Sequence, residues 1–210
     1  MENTEQMVAW EGKMGKEYTD RNFAPELMAG YDKSTYGVTR EALNYKFVGS
    51  LSGEIRILEV GANVGNQLLL LQKMGFRHLY GLELQRYASD MAKNKPGIDI
   101  IAGSALDIPF KDGNFDLVVT NGLLIHIAPA DIVTVMKEIY RCTSRYIWGL
   151  EYWAEKYTEI NWRGKDNMLW KTNYKQLYLD TFPNLKILNE EYLHYTDNDN
   201  IDEMYLLEKS

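Results

Sequence analysis

A chain of 210 residues with 45% hydrophobic content is long enough for one full α/β core. Its 30 acidic against 23 basic residues give a net charge of -7, with no concentrated basic patch, which argues against a phosphate-backbone partner and for a small-molecule ligand. The longest apolar stretches, such as Leu68 to Leu71, fall far short of the roughly 18 to 20 residues a membrane span needs, so no membrane role is expected. Met1 to Glu5 show neither the basic start nor the apolar run of a secretion signal, and the expected location is the cytoplasm. Cys142 is the only cysteine and sits in an apolar pattern, where it reads as a buried filler.

In chain order, residues 1–50 read as two helices with Gly30 and Gly37 between them, a cap lying across the ligand face of a sheet. From Ile55 short β-branched or apolar runs alternate with amphipathic segments, the pattern of strands joined by crossover helices. Parallel strands are expected at 55–60, 78–83, 98–102, 115–120 and 144–151, and helices at 65–74, 85–94 and 130–141. In the last of these Ile132, Val135, Met136 and Ile139 form one apolar stripe behind Pro129 and Asp131. A polar, aromatic insertion follows, then a helix near 174–182 and two strands, 185–195 and 201–208. Only Asp197-Asn198-Asp199-Asn200 separates those strands, so they should pair as an antiparallel hairpin. The same four residues lack the glycine and distal glutamate of a calcium loop, and no metal site is expected. The organisation is thus one domain over 1–210: a helical cap (1–50), a ligand-binding core (51–150), and an acceptor-side insertion with a terminal hairpin (151–210).

The densest signal is Ile57-Leu58-Glu59-Val60-Gly61-Ala62-Asn63-Val64-Gly65, a buried strand entering a glycine-bearing turn and then a helix. Such a turn lets a ligand lie against bare backbone at a helix N-terminus, although a tight turn without any ligand has the same outline. A dinucleotide site would carry glycine where Asn63 stands, to make room for a pyrophosphate. Glu59 at the strand's end suits a ligand bearing an ammonium group. Glu83, ending the second strand, falls beside a ribose in a βαβ unit. Gly103-Ser104-Ala105-Leu106-Asp107-Ile108-Pro109-Phe110 follows the third strand, and Phe115-Asp116-Leu117-Val118 opens the fourth.

This combination resembles the class I S-adenosylmethionine-dependent methyltransferases across roughly residues 51–150. The resemblance implies a Rossmann-like, doubly wound, seven-stranded sheet, mostly parallel, with an antiparallel strand near the C-terminus. It implies S-adenosylmethionine as cofactor and S-adenosylhomocysteine as product. Glu59, Gly61 and Gly65 would border the methionine moiety, Glu83 would grip the ribose, and Ser104 with Ala105 would face the adenine. Asn63, Leu84, Gly103 and Asn121 complete the expected cofactor set. The family's middle glycine is replaced by Asn63 and its aspartate by Ser104; Asp107 reads first as a solvent-facing turn residue, with substitution for that aspartate as the alternative.

Methyl transfer to a hydroxyl is helped by a base, and His126, in the loop after the fourth strand, is the candidate; the alternative is that it orients the loop. The opening Trp10-x-Gly12-x-x-Gly15-x-x-Tyr18-x-x-Arg21-Asn22, with Glu151-Tyr152 and Trp162-Arg163-Gly164 downstream, resembles methyltransferases associated with pseudaminic acid biosynthesis. That narrower resemblance implies a sugar or nucleotide-sugar acceptor in surface or flagellin glycan biosynthesis. Trp10, Tyr18, Arg21, Asn22, Glu151, Tyr152 and Arg163 are its acceptor-binding candidates, with Arg163 placed to hold a carboxylate or phosphate. A homodimer is compatible with the sequence. Two other classes stay open at this stage, a nicotinamide-dependent oxidoreductase on the same sheet and a non-catalytic cofactor-binding protein.

Overall fold

The computed structural model describes residues 3–93 and 95–210, with the side chains of 25–29 left aside. The strands are β1 (Arg56–Val60), β2 (His78–Glu83), β3 (Ile98–Ala102), β4 (Phe115–Asn121), β5 (Thr143–Tyr152), β8 (Leu185–His194) and β9 (Ile201–Lys209), all within one residue of the bounds the sequence implies. They form one seven-stranded sheet in the order β3-β2-β1-β4-β5-β9-β8. The first five are parallel, and β9 runs antiparallel between β5 and β8. This is the class I methyltransferase arrangement. Beyond it, β6 (Thr158–Glu159) and β7 (Trp170–Lys171) make a small antiparallel ribbon inside the insertion, too short for any pattern to announce.

Strand periodicity divides the core in two. Ile57, Leu117, Trp148 and Leu206 face α4 (Arg40–Val48) and α5 (Asn66–Lys73), while Leu58, Val118, Ile147 and Leu207 face α7 (Ile132–Cys142) and α8 (Tyr174–Thr181). The α7 stripe Ile132, Val135, Met136, Ile139 is buried, as is Cys142. Because both faces are covered, the central strands read as near-continuous apolar runs. The helix α6 (Arg86–Ala92) joins β2 to β3, and Asn94, where the sequence ends that helix, lies outside the described residues.

The first fifty residues depart from expectation. Instead of two helices there are α1 (Glu5–Glu11), α2 (Lys13–Arg21), α3 (Pro25–Tyr36) and α4. Gly12 interrupts the first pair with an extended backbone, and the stretch before Pro25, where a proline suits only a helix's first turn, interrupts the second. Gly30 sits inside α3; only Gly37 is a break, ending that helix at φ 74°. The threonines Thr4 and Thr39 cap α1 and α4, accepting from Met7 N (3.2 Å) and Ala42 N (3.3 Å).

Candidate active site

The carboxyl ends of β1 to β4 converge on one pocket, as open parallel sheets arrange their ligand crevices. The turn after β1 holds Gly61, Asn63 and Gly65 at positive φ (78°, 46° and 77°), tolerated by glycine and, among larger residues, most readily by asparagine. Gly61 N and Ala62 N both donate to Leu82 O, at 2.8 and 3.0 Å, which pins the turn to β2. Glu83, one residue on, accepts from Asn63 N (2.7 Å) through one oxygen and from Gln85 N (2.8 Å) through the other. Burial raises its pKa against the pull of those bonds.

Glu59 is the least compensated group in the pocket. It is 3% exposed, its Oε2 has no hydrogen-bond partner, and burial pushes its pKa up to about 8, with Arg40 opposing and Glu83 adding to the rise. Asn63 Oδ1 is likewise buried and unpartnered. Two acceptor oxygens left dry beside a glycine turn are a costly arrangement in an apolar setting and mark a place for donor groups of a ligand. Farther along the rim, Gly103 N donates to Glu83 O (2.9 Å), and Ser104 Oγ accepts from Leu106 N (3.1 Å), shaping the loop after β3.

The roof is built by α1 and α2. Gln85 Nε2 donates to Trp10 O (2.9 Å) and Gly12 O (3.3 Å), Thr19 Oγ1 donates to Gln85 Oε1 (3.0 Å), and Asn66 Nδ2 donates to Asn22 O (2.9 Å). Gly15 lies so close to this clasp that a Cβ there would meet Trp10 O at 1.9 Å. On the other side, His126 ends a 3-10 turn, Leu124–His126, after β4. Its Nδ1 lies 2.8 Å from Met168 O; because a carbonyl only accepts, Nδ1 carries the proton and Nε2 the free lone pair. The ring packs edge-on to Trp10 (4.6 Å) and Trp162 (5.4 Å). Burial lowers its pKa to about 4, against the bond to Met168, so it is neutral throughout the physiological range.

Most of the residues singled out in the sequence line this pocket. Glu59, Gly61, Asn63, Glu83 and Leu84 form one side, Gly103, Ser104, Ala105 and Asn121 another, and Trp10, Tyr18, Asn22 and His126 the roof and far wall. Five stand apart from the wall. Gly65 turns its α-carbon toward Ile100, whose side chain a Cβ would meet at 2.8 Å. Arg21 is exposed at the end of α2, and Arg163, also exposed, lies over the Trp162 ring at 5.3 Å. Tyr152 is half-buried under the Lys171 ammonium, 5.3 Å from its ring. Glu151 is buried beneath the 3-10 turn, accepting from Leu123 N (3.2 Å) and Ile125 N (3.4 Å). Conversely, sequence reasoning missed Thr4, Gln6, Met7, Gly15, Thr19, Gln85 and Asp131 in the wall. The one hint was polar Gln85 directly after the strand-ending acid.

Residues 58–145 match the family described as methyltransferase domain. An uncharacterised methyltransferase of Staphylococcus carnosus is 28% identical over 189 residues, spanning 85% of this chain and 83% of its own. A crystal structure of a SAM-dependent methyltransferase from Methanosarcina mazei superposes with a TM-score of 0.64 at 17% identity, covering 82% of this chain and 98% of that one. The [4+2]-cyclase SpnF superposes equally well, with a TM-score of 0.65 at 13% identity over 80% and 79% of the two chains. Likeness at that level is likeness of fold, and one fold hosts different reactions. Residues 58–145 thus match a methyltransferase-domain family, and they lie in a sheet whose strand order is that of the class I methyltransferase fold.

Proposed function

We propose that the protein is an S-adenosylmethionine-dependent methyltransferase acting on a hydroxyl or amine of a small molecule, with a sugar as the acceptor class. The observation that carries this reading is the pair of buried, unpartnered acceptor oxygens, Glu59 Oε2 and Asn63 Oδ1, next to the Glu83 carboxylate. Their chemistry fits the cofactor: Glu59 would accept from its ammonium, and Glu83 would accept from its ribose hydroxyls through the lone pairs it has left. It does not fit a dinucleotide, whose pyrophosphate would meet carboxylates and the Asn63 side chain. When bound, S-adenosylmethionine supplies a methyl group already activated on a sulfonium sulfur, so what is asked of the protein is placement and exclusion of water.

The chain's own groups serve those tasks. The α1–α2 roof, clasped through Gln85, shields the crevice. Trp10, with Tyr18 and Trp162 packed against it at 5.3 and 5.6 Å, offers aromatic surface for a sugar ring. His126, neutral with its lone pair on Nε2, accepts a hydrogen bond from the acceptor's O–H or N–H and so aims the nucleophile. A pKa near 4 makes it a weak sink for a proton at rest. It is nevertheless basic enough to take one from a freshly methylated hydroxyl oxygen, which is a far stronger acid. An amine acceptor that arrives neutral keeps its proton after transfer, and the same histidine then only orients it.

Isothermal titration separates the readings: S-adenosylhomocysteine should bind and nicotinamide dinucleotides should not, and the reverse pattern would overturn the proposal. His126→Ala should lower turnover about a hundredfold while leaving cofactor affinity within a factor of about two. Turnover equal to the parent's would remove His126 from the mechanism.

A further inference from the structure

Among the described residues, the wall of the pocket contains no lysine and no arginine. Residues 1, 2 and 94 and the side chains of 25–29, which are not described, are Met, Glu, Asn, Pro, Glu, Leu, Met and Ala, none of them lysine or arginine. The wall does contain three carboxylates, Glu59, Glu83 and Asp131. The nearest cations, Arg40 and Lys95, stand behind the wall, where both favour the ionised form of Glu59. Arg40 is buried against Asp32, with Nη2 donating to Oδ1 at 3.0 Å. The Lys95 ammonium is bonded to Val64 O. Arg21 and Arg163 are exposed and outside the wall.

Asp131 precedes α7 at the N-cap position, where a carboxylate suits the dipole of that helix, but its side chain makes no hydrogen bond to it. Instead it lines the pocket with Ile127, Ala128 and His126, on the side where Trp10 meets the imidazole. Trp10 Nε1–H is buried there without an acceptor, an independent sign that this wall awaits polar ligand atoms. Glu59 and Glu83 are the carboxyls assigned to the cofactor, so an anionic acceptor group would meet Asp131 with no lysine or arginine side chain in the wall to offset it. Partial positive charge reaches the wall at the start of α5, where Asn66 and Gln67 line it and the cofactor's own carboxylate is the natural claimant, and at the start of α7, where Asp131 already stands against it.

We propose that the acceptor carries no phosphate or carboxylate into the pocket, being a neutral polyol or an amine, and that Asp131 is the side chain that sets this preference. The inference rests on the methyl-transfer reading and narrows it: within the sugar class, nucleotide sugars, sugar phosphates and sugar acids are excluded. An ammonium near Asp131 would gain a counter-charge and an aromatic face together.

The test incubates the full chain with S-adenosylmethionine and a panel of hexoses, methyl hexosides, hexosamines, hexuronic acids, hexose phosphates and UDP-hexoses, and follows the gain of one methyl group by mass spectrometry. Neutral or amino members should react at least about tenfold faster than every anionic one. In Asp131→Asn the preference for hexosamine over its neutral counterpart should drop about tenfold, and in Asp131→Lys the hexuronic acids should gain on the rest. Binding of S-adenosylhomocysteine by each variant reports that it is folded. Fastest methylation of an anionic compound overturns the proposal. So does binding of S-adenosylhomocysteine with no methylation of any neutral or amino member. An unchanged preference in both variants removes Asp131 from the assignment. Failure of the parent chain to bind S-adenosylhomocysteine strikes the methyl-transfer reading first, and this one with it.

Discussion

The ionisation of Glu59 sets a measurable property of the site. With a pKa near 8 it is mostly protonated in the ligand-free chain at neutral pH, whereas pairing with an ammonium favours the carboxylate. Binding of S-adenosylhomocysteine should therefore release close to one proton near pH 7, and affinity should climb by up to about tenfold per pH unit until about pH 8. Titration calorimetry in two buffers of different ionisation enthalpy counts the protons, and a count of zero removes the Glu59–ammonium pair. Glu59→Gln should abolish both the slope and the proton release. For His126 the expectation has the other character: a pKa near 4 predicts no inflection in turnover near pH 6.5 that is traceable to this ring. That Glu59, Asn63 and Glu83 stand at the pocket could be read from the sequence, because strand ends and glycine turns mark the carboxyl edge of a parallel sheet. Arg163 reads as a ligand clamp because an arginine stands beside a tryptophan, but its side chain lies across Trp162, outside the pocket wall.

Between elements, the loop that carries His126 is held from two sides, by Met168 O from the insertion and by Glu151 from β5. Burial raises the Glu151 pKa to about 7, while Thr120 and the amides of Leu123, Leu124 and Ile125 pull it back. Glu151→Gln keeps the size but offers one acceptor oxygen in place of two, leaving at least one of those amides unpaired at a cost of about 1–3 kcal/mol. Turnover should fall while affinity for S-adenosylhomocysteine holds, since this carboxylate touches the turn and not the pocket. Equal losses in both would show that it supports the whole site. The roof invites a sharper change. Gly15→Ala puts a methyl group 1.9 Å from Trp10 O and 2.5 Å from Gln85 Nε2, so α1 has to move off α2 or Gln85 has to let go. A destabilisation of about 1–3 kcal/mol is expected, together with weaker cofactor binding, both read from melting curves with and without S-adenosylhomocysteine. Melting and binding like the parent's would mean that the clasp is not what closes the pocket. None of this clasp was legible, since its bonds run from Gln85 and Thr19 to backbone and side chains more than sixty positions away.

At the scale of the molecule, what periodicity encodes is what came through. The central strands are sandwiched between helices, so Ile57-Leu58 or Val118-Val119 had to be apolar on both faces, and each strand's bounds could be read. Of the first fifty residues only α4 has that constraint, through Leu43, Phe47 and Val48; α1 to α3 pack mainly on other helices and on β8, and their breaks depend on single residues such as Gly12 and Pro25. The same burial that makes strands legible loads the interior with carboxyl groups that favour the protonated form, which gives stability a direction in pH. Glu59 at about 8 and Glu151 at about 7 bind protons in the folded chain that the unfolded chain has already lost above about pH 4.5. Folding therefore takes up protons, and these two groups contribute stability that is lost as pH rises through their folded values. His126 acts in the opposite sense, because its lowered pKa makes stability grow with pH, but only between about 4 and about 6.5. Asp202, held near 6, is largely titrated by the time that window closes. From about pH 6.5 to about pH 8 Glu59 and Glu151 therefore lower stability, the raised Glu83 and Glu203 act in the same direction, and the melting temperature should fall across the interval. Glu59→Gln should flatten that fall, and saturating S-adenosylhomocysteine should do the same by ionising Glu59 in the complex. A melting temperature that rises over this interval would mean that these carboxyls are not buried as described, and the protonated Glu59 of the ligand-free chain would go with them.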